Sequence, residues 1–387
     1  MNKKQINVLY VAHDANLYGS NQSLLYLMTE LQMRYNIAPT VLVPKEGDFT
    51  KELKERNVEY LVGKYSLWQA VYKSGFRFVI KSILRRAKNL IAWQQVKKAI
   101  KGRGVDLVHS NSSVVEIGAE CASYMGVPHI WHIREFGQED WGMRYMYSHR
   151  YVQKKYNAAV ALIAVSKGIE YKYRMKYPRC RVGTIYNGIP SGKFLIRRKE
   201  DTNVINFCQV GYISETKNSI QVLEACKILK KENNFNFVMN FIGDGDGAYY
   251  REFLNYIEEN ELQQYIKLWG FQKNVEKILP QMDVGIMSSR MEGFGRVTVE
   301  YMLSGIPVIG YASGGTLELV SDGKTGFLYH TVLELAHHML YFIKNINKVE
   351  EMGSNGRVWA EEEFTAEKNA DLIFKLYQRS IKKDKYD

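Results

Sequence analysis

Short apolar runs alternate with segments of helical spacing along this chain, and the alternation occurs twice. Ile6-Asn-Val-Leu-Tyr-Val-Ala reads as a buried strand, and Ser20 to Leu31 as the helix after it, with Leu24, Leu25, Leu27, Met28 and Leu31 inward. Strand Thr40 to Val43, helix Thr50 to Asn57 and strand Val58 to Val62 continue the series. Then come strand Val105 to Asn111, helix Val114 to Met125, strand Pro128 to Glu135, strand Ala158 to Ser166, helix Lys167 to Tyr177 and strand Val182 to Tyr186. The polar stretch Ser191 to Asn203 reads as a linker. A second series opens with strand Ile205 to Val210 and helix Ser219 to Lys230, followed by strand Phe237 to Ile242 and helix Tyr249 to Asn260. Strand Ile266 to Phe271, helix Val275 to Leu279, strand Asp283 to Ser288 and helix Val297 to Leu303 come next. Strands Pro307 to Tyr311 and Gly326 to Tyr329 precede helix Val332 to Asn345 and a final helix, Lys368 to Ser380. This pattern predicts an α/β protein of two doubly wound, Rossmann-like domains facing one cleft, residues 1–190 and 203–367.

Charge singles out one segment. From Leu61 to Val105 there is no Asp or Glu, and eleven residues are Lys or Arg. Lys73, Arg77, Lys81 and Arg85 recur every four residues with Arg86 beside them, and Phe76, Ile80, Ile83, Ala87 and Leu90 fall on a neighbouring face, with Trp93 at the far end. Such a helix, spanning 73–103, lies in a membrane interface or packs on a core with a solvated basic face. The missing acids favour the anionic membrane surface, because a merely solvated face usually mixes signs.

The whole chain of 387 residues carries a formal charge of +12, which points to nucleic acid, an anionic surface or a phosphate-rich substrate. No nucleic-acid module is recognisable. Cys121, Cys180, Cys208 and Cys226 are widely spaced without C-x-x-C, so they read as free thiols in a reducing compartment. The apolar run at the N-terminus stops at His13 and Asp14, too short for a signal peptide, and no run approaches the roughly 20 apolar residues of a spanning helix. The expected location is cytoplasmic, peripheral on the inner face of the cytoplasmic membrane.

The chemistry centres on Glu292-Gly-Phe-Gly-Arg-Val-Thr-Val-Glu300 and the Gly314-Gly315-Thr316 that follows the next strand. Gly293 and Gly295 let backbone pass close to a ligand, and the first amides of the new helix favour an anion. Each carboxylate accepts two hydrogen bonds, which suits the vicinal hydroxyls of a sugar or ribose. A bare pair of glutamates eight residues apart is also what a solvated loop and helix carry; the glycines favour the ligand edge. Lys217 follows the glycine turn at Gly211, where a lysine at a helix start stabilises phosphate charge. Asp244 and Asp246 read as turn formers and caps rather than a metal-binding pair. In the first half, His132, Arg134 and Glu135 end a strand, where open α/β sheets place ligands. Trp141, Arg144, Tyr145 and Tyr147 read as an acceptor-side loop or a second interfacial patch.

The glutamate pair, with Gly293-Phe294-Gly295 between and Gly314-Gly315-Thr316 beyond, resembles the donor-site signature of family-4 glycosyltransferases, retaining enzymes of the two-domain GT-B fold. The resemblance implies that Glu292 contacts the transferred sugar, Glu300 the nucleotide ribose, and Lys217 the donor diphosphate. It further implies donor-binding positions at Gly19, Gly211, Gly243, Phe271 (near the base), Gly293, Phe294, Gly295, Arg296, Gly314, Gly315 and Thr316. His132 matches a family histidine near the donor sugar, and residues 368–387 the family's last helix, which crosses back to the first domain. The family arginine directly after the glycine turn is absent: Tyr212 stands there, and Arg296 is the substitute cation. The catalytic set is then Glu292, His132 and Lys217, with no metal and no cofactor beyond a nucleotide-diphosphate sugar as co-substrate.

The resulting expectation is a retaining, metal-independent hexosyltransferase acting on a glycan or polyprenyl-diphosphate-linked acceptor in cell-surface polysaccharide assembly. Two other classes compete. A basic nucleic-acid-binding protein accounts for the charge but not for its clustering with apolar residues on one helix. A glycoside hydrolase also needs two carboxylates, one of them a proton donor beside the leaving oxygen, whereas this pair sits in a phosphate-binding glycine setting.

Overall fold

The computed structural model describes residues 5–71, 76–197, 204–231 and 236–383. Lys73 and the side chain of Arg77 therefore lie outside the described residues. The chain divides into two compact units, Met1–Gly188 with Ala366–Asp387, and Ile189–Thr365.

The first unit opens with β1 (Ile6–Val11), α1 (Gly19–Tyr35), β2 (Ile37–Val43), α2 (Asp48–Glu55) and β3 (Glu59–Val62). β4 (Gln69–Val71), α3 (Phe76–Ile100), β5 (Leu107–Ser110), α4 (Ile117–Met125) and β6 (His129–Ile133) follow. After α5 (Gln138–Trp141), β7 (Met143–Tyr145) and α6 (His149–Asn157) come β8 (Ala161–Ala164), α7 (Lys167–Lys176) and β9 (Val182–Thr184). Seven strands form a parallel sheet in the order β3-β2-β1-β5-β6-β8-β9. Its strands read as nearly continuous apolar runs because both faces are covered. On one face Tyr10, Leu24, Leu27, Leu31 and Ile130 share a core with Ile373, Phe374 and Tyr377. On the other, Leu9, Val11 and Val108 pack with Ala92, Val96 and Ile100 of α3 and with Ile117 and Cys121 of α4.

The second unit contains β10 (Ile205–Val210), α8 (Ser219–Lys230), β11 (Phe237–Ile242), α9 (Gly247–Glu259), β12 (Ile266–Leu268) and β13 (Val284–Met287). α10 (Arg296–Leu303), β14 (Val308–Tyr311), α11 (Thr316–Leu319), β15 (Gly326–Tyr329), α12 (Val332–Lys344) and α13 (Ile346–Glu363) complete it. Its six strands are parallel in the order β12-β11-β10-β13-β14-β15, so the order reverses between β10 and β13. The last helix, α14 (Ala366–Lys383), belongs to the first unit, where Tyr35 stacks on Phe374 at 3.9 Å and Asp371 accepts hydrogen bonds from Arg34 and Tyr35.

Several readings of the sequence need correction. The polar stretch after Ser191 is no free linker as far as it is described: Arg197 donates its amide to Ser304 and ion-pairs with Asp283 at 2.6 Å, both side chains nearly buried. The segment 275–281 forms two 3-10 turns rather than a helix, the second with Pro280 inside it. β4 and β7 pair antiparallel outside the main sheet, so Tyr145 turns inward to hydrogen-bond Tyr156, and Tyr147 donates to Glu116. Of the loop taken as an acceptor-side or interfacial patch, Trp141 and Arg144 remain exposed. Trp93, at the far end of the apolar face, packs its ring edge-on against Tyr124.

Candidate functional site

Where strand order reverses in an open parallel sheet, the turns leaving the two flanking strands diverge and open a crevice. In the second unit those strands are β10 and β13. The turn after β10 carries Gly211, Tyr212 and Lys217; the turn after β13 carries Glu292 to Gly295. Lys217 Nζ stands 3.0 Å from Glu292 Oε2, each side chain half-buried. The Lys217 carbonyl accepts from Gln209 at the end of β10 and from Ser288 just past β13, and Gln209 also donates to Ser288. Two strand ends thus fix the root of the lysine, and its stem crosses open space above Gly211, 3.7 Å from where a Cβ would be.

The glycines after β14 have a specific reason to be there. The amide of Gly315 donates to the Glu292 carbonyl at 2.7 Å, drawing the two turns together. A Cβ on Gly314 would stand 2.4 Å from that carbonyl oxygen, and one on Gly315 2.4 Å from the Phe294 oxygen. These glycines therefore set the height of the Glu292 loop. The Gly315 amide is taken up by this contact and is not free for the phosphate expected at the start of α11, a single turn. Thr316 Oγ1 is buried and finds no partner among the described residues, as is the case for Ser289 Oγ and Thr298 Oγ1.

Gly295, at a φ of 94°, is the N-cap of α10 and no side chain caps it. The first-turn amides of a helix have no intrahelical acceptor, which is the condition that favours an anion. One turn further, Glu300 accepts from Arg296 at 3.0 Å. Burial pushes the Glu300 carboxyl up and the Arg296 charge opposes it. Arg296, the expected substitute for the missing arginine, is thus engaged with Glu300. Tyr301 on the same helix takes the amide of Val210 on its hydroxyl, tying α10 to β10.

Gly243, after β11, lies against Gly211: at a φ of 154°, its Cβ would stand 2.1 Å from the Gly211 oxygen. Asp244 accepts the amide of Phe271, whose ring is exposed beside this turn. That contact gives Asp244 a turn-forming role. Gly243→Ala is expected to destabilise the protein by about 1–3 kcal/mol, since backbone rather than a flexible side chain must yield; urea unfolding measures this.

In the first unit the corresponding reversal lies between β1 and β5. Gly19 begins α1, and Asn21 pins the preceding loop by donating to Asp14 and to the Asn16 carbonyl. Asn111, after β5, donates to the Ser20 carbonyl and accepts from Arg134, which also donates to Asn187. His132, next to last in β6, is fully buried. Its Nδ1 meets His109 Nε2 at 3.2 Å; His109 Nδ1 meets the Tyr377 hydroxyl at 2.6 Å, and Tyr377 donates to Tyr10. His132 Nε2 finds no partner among the described residues. Burial, then the Arg134 charge and His109, hold the His132 imidazole well below its ordinary pKa, so it is neutral at physiological pH. Glu135, buried, accepts from the Ser112 hydroxyl and the Ser113 amide.

Two features escaped the sequence reading. His109 and Tyr377 orient His132 from β5 and α14, residues too far apart in sequence for any spacing rule. Asp140 accepts the Phe136 amide through Oδ2, leaves Oδ1 without a partner among the described residues, and is pushed by burial up to about 6. Only its place in a strand-end loop marked it.

Of the predicted residues, the second unit gathers Lys217, Gly211, Glu292 to Gly295, Gly314 and Gly315 around one reversal, with Gly243 and Phe271 beside it and Glu300 and Arg296 on α10. His132 and Gly19 lie in the first unit, at the strand ends of its own sheet.

Residues 18–192 match the family model described as Glycosyltransferase Family 4, and residues 193–359 the one described as Glycosyl transferases group 1. Among curated relatives, an uncharacterized glycosyltransferase of Methanocaldococcus jannaschii is 28% identical over 294 residues, 74% of this chain and 79% of that protein. The capsular polysaccharide biosynthesis glycosyltransferase CapH of Staphylococcus aureus is 32% identical over 117 residues, 30% of this chain and 32% of that one. Among solved structures, Anabaena HepE in complex with UDP-glucose superposes with a TM-score of 0.77 at 19% identity, covering 97% of this chain and 100% of that one. With matches that together run from residue 18 to residue 359, the chain belongs to the group 1 glycosyltransferases, transferase enzymes of the GT-B fold.

Proposed function

We propose that the enzyme moves a hexosyl-type sugar from a nucleotide-diphosphate donor to a glycan or lipid-linked acceptor in cell-surface polysaccharide synthesis, with retention at the anomeric carbon and without a metal. The contact that carries this reading is Lys217 on Glu292 at the strand-order reversal of the second unit. Departure of a nucleoside diphosphate builds negative charge on its β-phosphate. A lysine, together with the uncapped start of α10, supplies fixed positive potential where that charge develops, which is worth most in the transition state. Glu292 accepts hydrogen bonds from the sugar hydroxyls and supports positive character at the anomeric carbon. Glu300, largely buried and kept oriented by Arg296, takes the ribose hydroxyls. This cationic set supports the reading of metal independence: the lysine and helix start would do the work of an ion, and Asp244 is already engaged by Phe271. His132 contributes a neutral imidazole whose buried Nε2 has no partner among the described residues, leaving it an acceptor for a hydroxyl that reaches it.

The names of relatives support the donor and product class: CapH acts in capsular polysaccharide biosynthesis, and HepE was solved with UDP-glucose. Thermal-shift screening against UDP, GDP, ADP and dTDP sugars tests the donor, where a ligand at 100 times its Kd adds about 2.7 kcal/mol. Stabilisation by none of them would remove the donor reading. Proton NMR of the first-formed product should show the donor's own anomeric configuration, and turnover should persist in EDTA. An inverted product removes retention; activity that returns only with added Mg²⁺ or Mn²⁺ removes metal independence.

A further inference from the structure

A surface helix ordinarily turns its apolar stripe inward and its polar one to water. The first four turns of α3 do the reverse. The side facing the protein carries Ser82, which donates to the Phe78 carbonyl, and Asn89, which exchanges hydrogen bonds with the Ser66 backbone and donates to Glu116. The side facing outward carries Phe76 (78% exposed), Ile80 (40%), Ile83 (60%), Leu84 (64%), Leu90 (68%) and Ile91 (65%). Their spacing of three, four and seven makes one continuous stripe, about 1.5 Å of rise per residue, some 24 Å from end to end. Only beyond it do Ala92, Val96 and Ile100 enter the core.

The cations flank this stripe. Lys81 and Lys88 are exposed and form no ion pair among the described residues. Arg85 and Arg86, which the sequence reading also placed outward, donate to the carbonyls of Gln69 and Met146; Arg85 is half-buried, while Arg86 stays exposed and lies over the Tyr147 ring at 4.5 Å. Ile80, Leu84 and Ser66 line, together with the cations Lys81, Arg85 and Lys88, an open depression of about 510 Å³. Such a hollow fits an anionic headgroup above an acyl chain. Among the described residues no helix is long and apolar enough to cross a membrane, so contact of this kind is interfacial.

We propose that the outward face of α3 docks on an anionic phospholipid surface, with Phe76, Ile83, Leu84, Leu90 and Ile91 in the acyl boundary and Lys81 and Lys88 among the phosphates. A protein partner of matching chemistry would need an apolar groove lined with acids. A bilayer supplies both parts along the full length of a convex helix. The inference is independent of which sugar the second unit takes.

Flotation of the full chain with phosphatidylcholine vesicles, with and without phosphatidylglycerol, tests it. Binding is expected only with phosphatidylglycerol and should weaken from 0.1 to 0.5 M salt. The double variant Lys81→Glu/Lys88→Glu should bind roughly tenfold or more weakly, since each cation near such a surface contributes about 1 kcal/mol. Ile83→Asn/Leu84→Asn should lose binding too, with an unchanged melting temperature, because both side chains are already exposed. The proposal is overturned by equal binding to neutral vesicles, by absent binding, or by variants that bind like the parent. It is equally overturned if the parent elutes as a dimer that either variant separates, which would make the face a contact between two copies.

Discussion

Glu292→Gln is expected to lower kcat/KM by about 10³-fold or more, roughly 4 kcal/mol of transition-state stabilisation, while the nucleotide-sugar Kd changes no more than a few-fold. Glutamine has the shape of glutamate, and the loop that carries it is fixed by its backbone, through the Gly315 amide on the Glu292 carbonyl, not by the carboxylate. The substitution removes the ion pair to Lys217 and, in the proposed site, the one negative charge that would face the anomeric carbon. A lysine released from that pair remains free to hold diphosphate, so donor binding should survive. Lys217→Met separates the two roles in the opposite sense: it should weaken nucleotide-sugar binding and also lower kcat, because the lysine opposes charge in both the bound donor and the departing diphosphate. Steady-state kinetics together with calorimetric titration of the donor give both numbers. Glu292→Gln activity within tenfold of the parent would show that the carboxylate does not face the reacting carbon.

The parallel sheets were legible because a strand covered on both faces leaves an uninterrupted apolar run, and most such runs here give way to glycine or polar residues. Lys217, Glu292 and the glycines could be named for the same reason: they sit immediately beyond strand ends. Their contact could not. The meeting of Lys217 with Glu292 depends on β10 and β13 being neighbours, and strand order is invisible to periodicity. The same limit hid β4 and β7, three residues each and far apart in the chain, whose pairing turns Tyr145 and Tyr147 inward. It also hid the path from α14 through Tyr377 and His109 to His132. For α3 the sequence marked the segment as unusual by its missing acids but gave no sign of the hydrogen bonds that tie Arg85 and Arg86 to backbone carbonyls of distant turns.

Arg197→Met should destabilise the second unit by about 3–5 kcal/mol, the largest stability effect expected from a single substitution here. Arg197 belongs to a stretch whose composition suggested a linker, yet its guanidinium meets Asp283 through both Nε and a terminal nitrogen, at 2.8 and 2.6 Å, with little access to water. The second oxygen of Asp283 accepts the amide of Asn206, one residue into β10. One carboxylate therefore joins the incoming chain, the start of β10 and the start of β13. Without the arginine it is left as a buried charge with a single amide donor, which is why loss of one partner costs more than the pair contributes. The double variant Arg197→Met/Asp283→Asn should recover part of the loss, since no uncompensated charge remains. Because β10 and β13 carry Lys217 and Glu292 at their far ends, partial unfolding in the single variant should lower nucleotide-sugar binding in step with stability, and binding should return in the double variant. Urea unfolding with and without donor measures both. A single variant within 1 kcal/mol of the parent would mean that water reaches Asp283 and that the segment from Ser191 is the loose connection its composition suggests.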